Sequence, residues 1–401
     1  MDQRPEVLLV PTNGGVLHGF NAATGAELFA YVPSEVLAPV PGQNFSPLSQ
    51  LTDPEYEHRY LVDGTPTISD VLLDGDWATV AVGSMGVGGR SIFALDITDP
   101  ETMDSSDVLW EFTDPDLGYG VTDAQIVPME NNVFAAVFGN GYNSDSQHAV
   151  LFVVDISDGS LIAKIDTGTG SASIPNGLGP ALVSDWPDND LIAQYVYAGD
   201  LRGNLWRFDL SEPDTDDWLD TALSMFSAID PDDDPQPITV QPRVALNPER
   251  PGELMILFGT GSYFRSEDRE SVNPQVQTLY GVRDSGTSVR NSLGDRDDML
   301  QQTITFEAQA EALGATRIVR EVSDNDYDDN RQIGWYLDLV VTGAANGERV
   351  ISRATFPSSS RRERARFSTL RPDNDPCSGG REGFIFDVDL SDGGRTDQAV
   401  F

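Results

Sequence analysis

The sequence predicts an all-β fold, a modified seven-bladed β-propeller with long irregular inter-strand loops and one or two short helices. Three observations carry that expectation. Short apolar runs rich in β-branched and aromatic residues recur along the chain, Gly/Asn/Asp turns separate them, and the repeat spacing of roughly 50–60 residues suits a four-stranded blade. About seven such periods fit into 401 residues, and 37 Gly with 25 Pro punctuate the chain too densely for long helices. Hydrophobic residues make up 39%, enough for a core, so residues 1–401 read as a single propeller domain.

The units follow in order. The first is Leu8-Leu9-Val10, a glycine turn at Gly14-Gly15, then Val16-Leu17-His18-Gly19-Phe20. The second runs Val80-Ala81-Val82-Gly83 to Ile92-Phe93-Ala94-Leu95-Asp96, and the third Ala136-Val137-Phe138-Gly139 to Leu151-Phe152-Val153-Val154-Asp155. A tighter fourth unit couples Tyr195–Asp200 to Gly203–Asp209, and a fifth couples Met255–Gly261 to Leu279–Asp284. Gly334–Leu339 and Phe384–Asp389 are weaker candidates. Glycine after the first run permits the positive φ of tight hairpins and close approach of neighbouring blades. Segments 32–60, 211–236 and 285–331 read as insertions, with a short helix or irregular arm at Thr303–Leu313.

With 65 acidic against 25 basic residues the net charge is −40. Such a surface repels phosphate backbones and anionic lipid, which excludes nucleic-acid binding and membrane association as primary roles. No run approaches the ~18 apolar residues of a membrane span, so membrane insertion is not expected. Lys164 is the single lysine. Abundant carboxylate with almost no lysine fits a protein working in high salt, and fits an ordinary acidic secreted protein as well. The first apolar run reads as mid-domain strand, so the chain is expected to be part of a longer secreted protein.

No Ser-elbow, P-loop or HExxH pattern is present, and His18, His58 and His148 are scattered in sequence. A convergent catalytic site is therefore not expected. Cys377 has no partner in the chain and reads as a buried thiol or as the partner of an upstream cysteine.

The run Tyr197-Ala198-Gly199-Asp200-Leu201-Arg202-Gly203-Asn204-Leu205-Trp206-Arg207-Phe208-Asp209 resembles the "YAGD…GN-W-FD" element of the PilC/PilY family of type IV pilus biogenesis factors and tip adhesins. Asn13–Phe20 with Thr24–Glu27, His58–Pro66, Gly88-Gly89-Arg90, Phe138–Asn143 and Asp375–Gly380 resemble the same family in the same order, from about Val7 to Asp389. The resemblance implies that family's C-terminal propeller. It further implies an extracellular, pilus-associated module, exported through the periplasm, that supports pilus extension against retraction and surface attachment. Its partners would be minor pilins or the pilus tip complex and a host or abiotic surface. The runner-up reading is a quinone-cofactor dehydrogenase propeller, whose adjacent cysteine pair a chain with one Cys cannot supply; an ion-free protein-binding scaffold is a third.

The family resemblance also implies a calcium loop, D-x-D-x-D-G-x-x-D, just before Tyr197. In register that loop is Trp186-Pro187-Asp188-Asn189-Asp190-Leu191-Ile192-Ala193-Gln194, where the first, glycine and closing-acid positions hold Trp186, Leu191 and Gln194. Asp185, one residue early, stands in for the first ligand and Ile192 supplies a carbonyl. The implied Ca²⁺ set is thus Asp185, Asp188, Asp190 and Ile192. An acidic turn capped by its own Asp and Asn side chains, with no ion, is equally open. Asp230–Asp234 and Asp324–Asp329 are further acid clusters that read as solvated loops. Arg361, Arg362, Arg364 and Arg366, preceded by Arg353, form a positive island: either partners of surface carboxylates or a docking surface for acidic partners.

Overall fold

Hairpins follow one another through the chain, because alternating apolar runs bounded by turn residues pair most readily with their sequence neighbours. The computed structural model describes residues 5–40, 42–265, 268, 274–287, 294–312, 315–327, 332–341, 343–357, 363–372 and 382–396. The first sheet is β1 (Val7–Thr12), β2 (Val16–Asn21) and β3 (Glu27–Tyr31). Helices α1 (Ser34–Leu37) and α2 (Pro47–Gln50) occupy the first insertion. The second sheet is β4 (Thr67–Leu73), β5 (Asp76–Ser84), β6 (Ile92–Asp96) and β7 (Val108–Phe112). The third is β8 (Gln125–Pro128), β9 (Phe134–Gly139), β10 (His148–Asp155) and β11 (Leu161–Gly170). The fourth is β12 (Leu182–Ser184), β13 (Tyr195–Gly199), β14 (Asn204–Asp209) and β15 (Leu223–Ser227). All four are antiparallel meanders in chain order, the pattern of a propeller blade.

The later strands depart from the simple meander. They are β16 (Arg243–Leu246), β17 (Leu254–Gly259), β18 (Thr278–Asp284), β19 (Leu300–Gln302), the hairpin β20 (Ile304–Ala312) and β21 (Ala315–Val322), and β22 (Gly334–Asp338). The fifth sheet has the order β16-β17-β18-β22-β19, with β19 parallel to β22. Two short pairs complete the described strands: β23 (Val340–Val341) with β24 (Ala344–Ala345), and β25 (Arg364–Ser368) with β26 (Ile385–Asp389). The Glu/Ala-rich stretch in which a short helix was one expectation is strand β20. Its helix propensity yields to cross-strand pairing, for Glu307 faces Arg320 in register and its carboxylate lies 2.7 Å from Arg320 Nε.

Two compact units partition the chain, residues 1–196 with 208–222 and residues 197–207 with 223–401. In the first, the inner strands are apolar at consecutive positions because both faces are covered. Val80, Val82, Ile92 and Ala94 join Phe138, Val150 and Phe152 of the third sheet. Their neighbours Ala81, Phe93 and Leu95 join Leu17, Val36 and Leu61 on the side of the first sheet. The period-2 geometry of a strand thus divides one sequence run between two cores. In the second unit Met255, Leu257, Trp335 and Leu337 of the fifth sheet pack with Phe367, Phe386 and Val388 of the β25–β26 pair.

Glycines in and after the first runs serve both expected purposes: Gly15, Gly141 and Gly261 have φ of +82°, +67° and +131°. Gly83, Gly139 and Gly259 do not have positive φ. A Cβ on Gly83 would lie 2.4 Å from the ring of Phe93, its register partner, and one on Gly139 would lie 2.1 Å from the Gly179 carbonyl. Close approach, not turn geometry, demands glycine there.

Candidate functional site

The stretch implied as a calcium loop is the turn between β12 and β13. Its Trp186–Pro187 peptide is cis, and Trp186 is buried with its ring 5.9 Å from that of Tyr195. Asn189 N donates to the Asp185 carbonyl at 2.7 Å, Asn189 Nδ2 to the Pro187 carbonyl at 2.6 Å, and Ile192 N to Asp190 Oδ1 at 3.0 Å. Leu191, at the glycine position, has φ +74° and is 77% exposed. The turn therefore keeps the left-handed step of the implied loop, with a side chain that disfavours it.

The oxygen set is a different matter. Asp188 and Asp190 are exposed, and Asp190 already caps Ile192. Gln194, in the closing-acid position, is a buried neutral amide whose Nε2 lies 3.4 Å from Glu130 Oε1. Among the described residues no group of three or more His, Cys, Asp or Glu side chains is placed to hold a metal. A calcium loop needs several converging carboxylates; the residues present do not fit that ion and do fit a turn closed by its own Asp and Asn side chains.

The other clusters are likewise tied into local structure. Asp230 Oδ1 caps both Asp232 N and Asp234 N, while Asp324 Oδ2 lies 3.7 Å from Arg395 Nη2; Asp328 and Asp329 lie outside the described residues. His18 meets Glu27 at 2.6 Å, His148 meets Asp166 at 2.8 Å, and His58 lies against Asn13 and Tyr60. Lys164 sits between Asp114 and Asp116, whose carboxylates raise its pKa against the lowering effect of burial.

Asp200, in the strongest sequence signature, is fully buried. Its Oδ1 accepts from Arg202 N and Asn204 N, and its Oδ2 from Asn204 Nδ2 and Trp206 Nε1, all at 2.8–2.9 Å. One carboxylate thereby closes the β13–β14 turn and fixes the Trp206 ring. Nearby, Arg207 Nη1 donates to both oxygens of Asp284, which also accepts from Tyr197 Oη at 2.8 Å; Arg207 and Asp284 are 3% and 1% exposed. Sequence alone gave no sign of that pair, since 77 residues separate its members.

Of the arginine island, Arg361 and Arg362 lie outside the described residues, as does Cys377. Arg364 and Arg366 share a face of β25, facing Asp389 and Asp387 of β26 in register. Arg366 grips Asp387 through Nε and Nη2, both at 2.6 Å. Arg366 is thereby paired within its own hairpin. Arg353 instead lies near Arg243, a residue the sequence did not single out.

Successive antiparallel meander sheets whose inner strands are buried, with polar turns held by local carboxylates, fit a β-propeller. A family model for the PilY1 beta-propeller domain matches residues 2–317. The chain is 34% identical over 444 residues to the type IV pilus biogenesis factor PilY1 of Pseudomonas aeruginosa strain UCBPP-PA14, covering 100% of this chain and 37% of that protein. To a type IV pilus biogenesis factor PilY1 homolog of Xylella fastidiosa strain Temecula1 it is 39% identical over 409 residues, covering 97% of this chain and 26% of that protein. The crystal structure of the P. aeruginosa PilY1 C-terminal domain matches with a TM-score of 0.80 at 32% identity, covering 100% of this chain and 82% of that one. The chain belongs to the PilY1 β-propeller family. It spans only about a quarter to somewhat over a third of these curated relatives.

Proposed function

We propose that this propeller is a non-enzymatic binding and assembly module of a type IV pilus biogenesis factor, displayed at the cell surface and associated with the pilus. The observation that carries the reading is similarity over essentially the whole chain to relatives named as such factors. Physics supports it: sheets with buried inner strands make a stiff frame, and turns on such a frame vary without disturbing the core. Minor pilins or the pilus tip complex are the partners this role needs, and a host or abiotic surface is the target of attachment. Calcium plays no part at the Trp186–Gln194 turn in this proposal. In the native organism, an in-frame deletion of this domain from the gene that encodes it should abolish surface pili seen by electron microscopy. Unchanged piliation and twitching would overturn the reading.

A further inference from the structure

Arg243 begins β16, and Arg353 lies in the segment between β24 and β25. The Arg243 guanidinium lies over the Phe356 ring, 5.6 Å from its centre, and its Nε is buried without an acceptor. Arg353 Nη1 donates to Gln241 Oε1 at 3.2 Å, and Gln241 is itself buried. One aromatic face and one amide thus steady two cations near each other. Burial first, and then the charge of Arg353, depress the Arg243 pKa.

This arrangement runs against the composition. The chain carries 65 acids for 25 bases, and Arg207, Arg296, Arg320 and Arg366 all have carboxylate partners. Among the described residues no ion pair includes Arg243 or Arg353. Like charges brought together beside a partly buried wall repel, and a guanidinium N–H without an acceptor adds a desolvation cost. A planar oxyanion held by the two guanidinium groups would offset the like-charge repulsion.

The place also suits an extended ligand. β16 is an outermost strand of its sheet, so one edge of its backbone is unpaired in that sheet, and Leu246 at its end is 61% exposed. We propose that Arg243 and Arg353 form a carboxylate-binding site that receives an Asp or Glu side chain from an extended acidic segment of a partner protein laid along β16. Backbone pairing would supply affinity and the carboxylate would set the register. Nothing in this recognition depends on the pilus assignment.

The test uses the whole chain and a short blocked peptide of alternating Glu and Val, followed by fluorescence anisotropy at fixed ionic strength. The peptide should bind saturably, and its Gln-for-Glu counterpart should bind at least about tenfold more weakly. Arg353→Gln and Arg243→Gln should each weaken the Glu peptide by a similar factor, and without peptide should melt no lower than the parent chain. Arg353 is exposed, so Arg353→Gln remains folded and informative even if Arg243→Gln does not. Free glutarate is the second arm. Binding of glutarate but not of the peptide would refute a protein-borne ligand. Absent peptide binding, or equal binding by the variants, would overturn the site itself.

Discussion

Two turns that are neighbours in sequence use aspartate in opposite ways. In the turn closed by Asp200 the carboxylate is fully buried and every oxygen meets protein donors. In the turn from Asp185 to Gln194 the carboxylates of Asp188 and Asp190 are exposed, and the shape is set by the Asn189 N bond to the Asp185 carbonyl with one Asp190 oxygen capping Ile192 N. An acid becomes indispensable when burial leaves its donors no alternative; an acid in water is replaceable.

The largest effect should come from breaking the buried member of the comparison. Asp200→Ala leaves two backbone N–H groups, an amide and an indole N–H without their acceptor, and should lower stability by about 3–5 kcal/mol in denaturant unfolding. A loss below about 1 kcal/mol would mean that the donors find other partners. Arg207→Ala should cost a similar amount, about 3–5 kcal/mol, because it strands the Asp284 charge away from solvent. Replacing Arg207 and Asp284 together by apolar residues of similar size should recover most of that loss, which a double-mutant cycle would read as strong coupling.

How far the sequence disclosed these roles depends on the range of the interaction. The Asp200 turn was legible as a motif because its donors lie within six residues of it, whereas the Arg207–Asp284 ion pair and the Arg243–Arg353 juxtaposition join residues far apart in the chain and leave no local pattern. The blades were legible from recurrent apolar runs, but the β20–β21 hairpin was not, since Glu and Ala favour helix until a partner strand supplies pairing. The acids of the Asp185–Gln194 turn were visible as residues, and their exposure was not.

A third test sharpens the contrast through pH. Asp392 is intermediate between the two extremes: burial first, with the charges of Asp389, Glu249 and Asp324, pushes its carboxyl up to about 6, opposed by the hydrogen bond from Gly394 N. Asp324 is partly offset by Arg395, whose Nη2 is 3.7 Å away. Its raised value means that folding favours the protonated form. The contribution is fully present below the unfolded carboxyl pKa of about 3.9 and is lost as pH rises through about 6. Asp392→Asn keeps an acceptor for Gly394 and cannot ionise, so its melting temperature should exceed that of the parent chain above pH 6 and match it near pH 4. A pH-independent difference would refute the assignment.

The smallest effect belongs to the exposed turn. Asp188→Ala with Asp190→Ala should change stability by no more than about 0.5 kcal/mol for the solvent-facing charges, plus the modest loss of the Asp190 cap on Ile192. Calcium is the direct test of the claim that the fold, and not an ion, shapes this turn. Calorimetric titration of the parent chain and of the Asp188→Ala/Asp190→Ala variant with calcium to about millimolar, the weak end of protein calcium sites, should give indistinguishable traces. A saturable one-to-one heat in the parent chain that the variant lacks would contradict it.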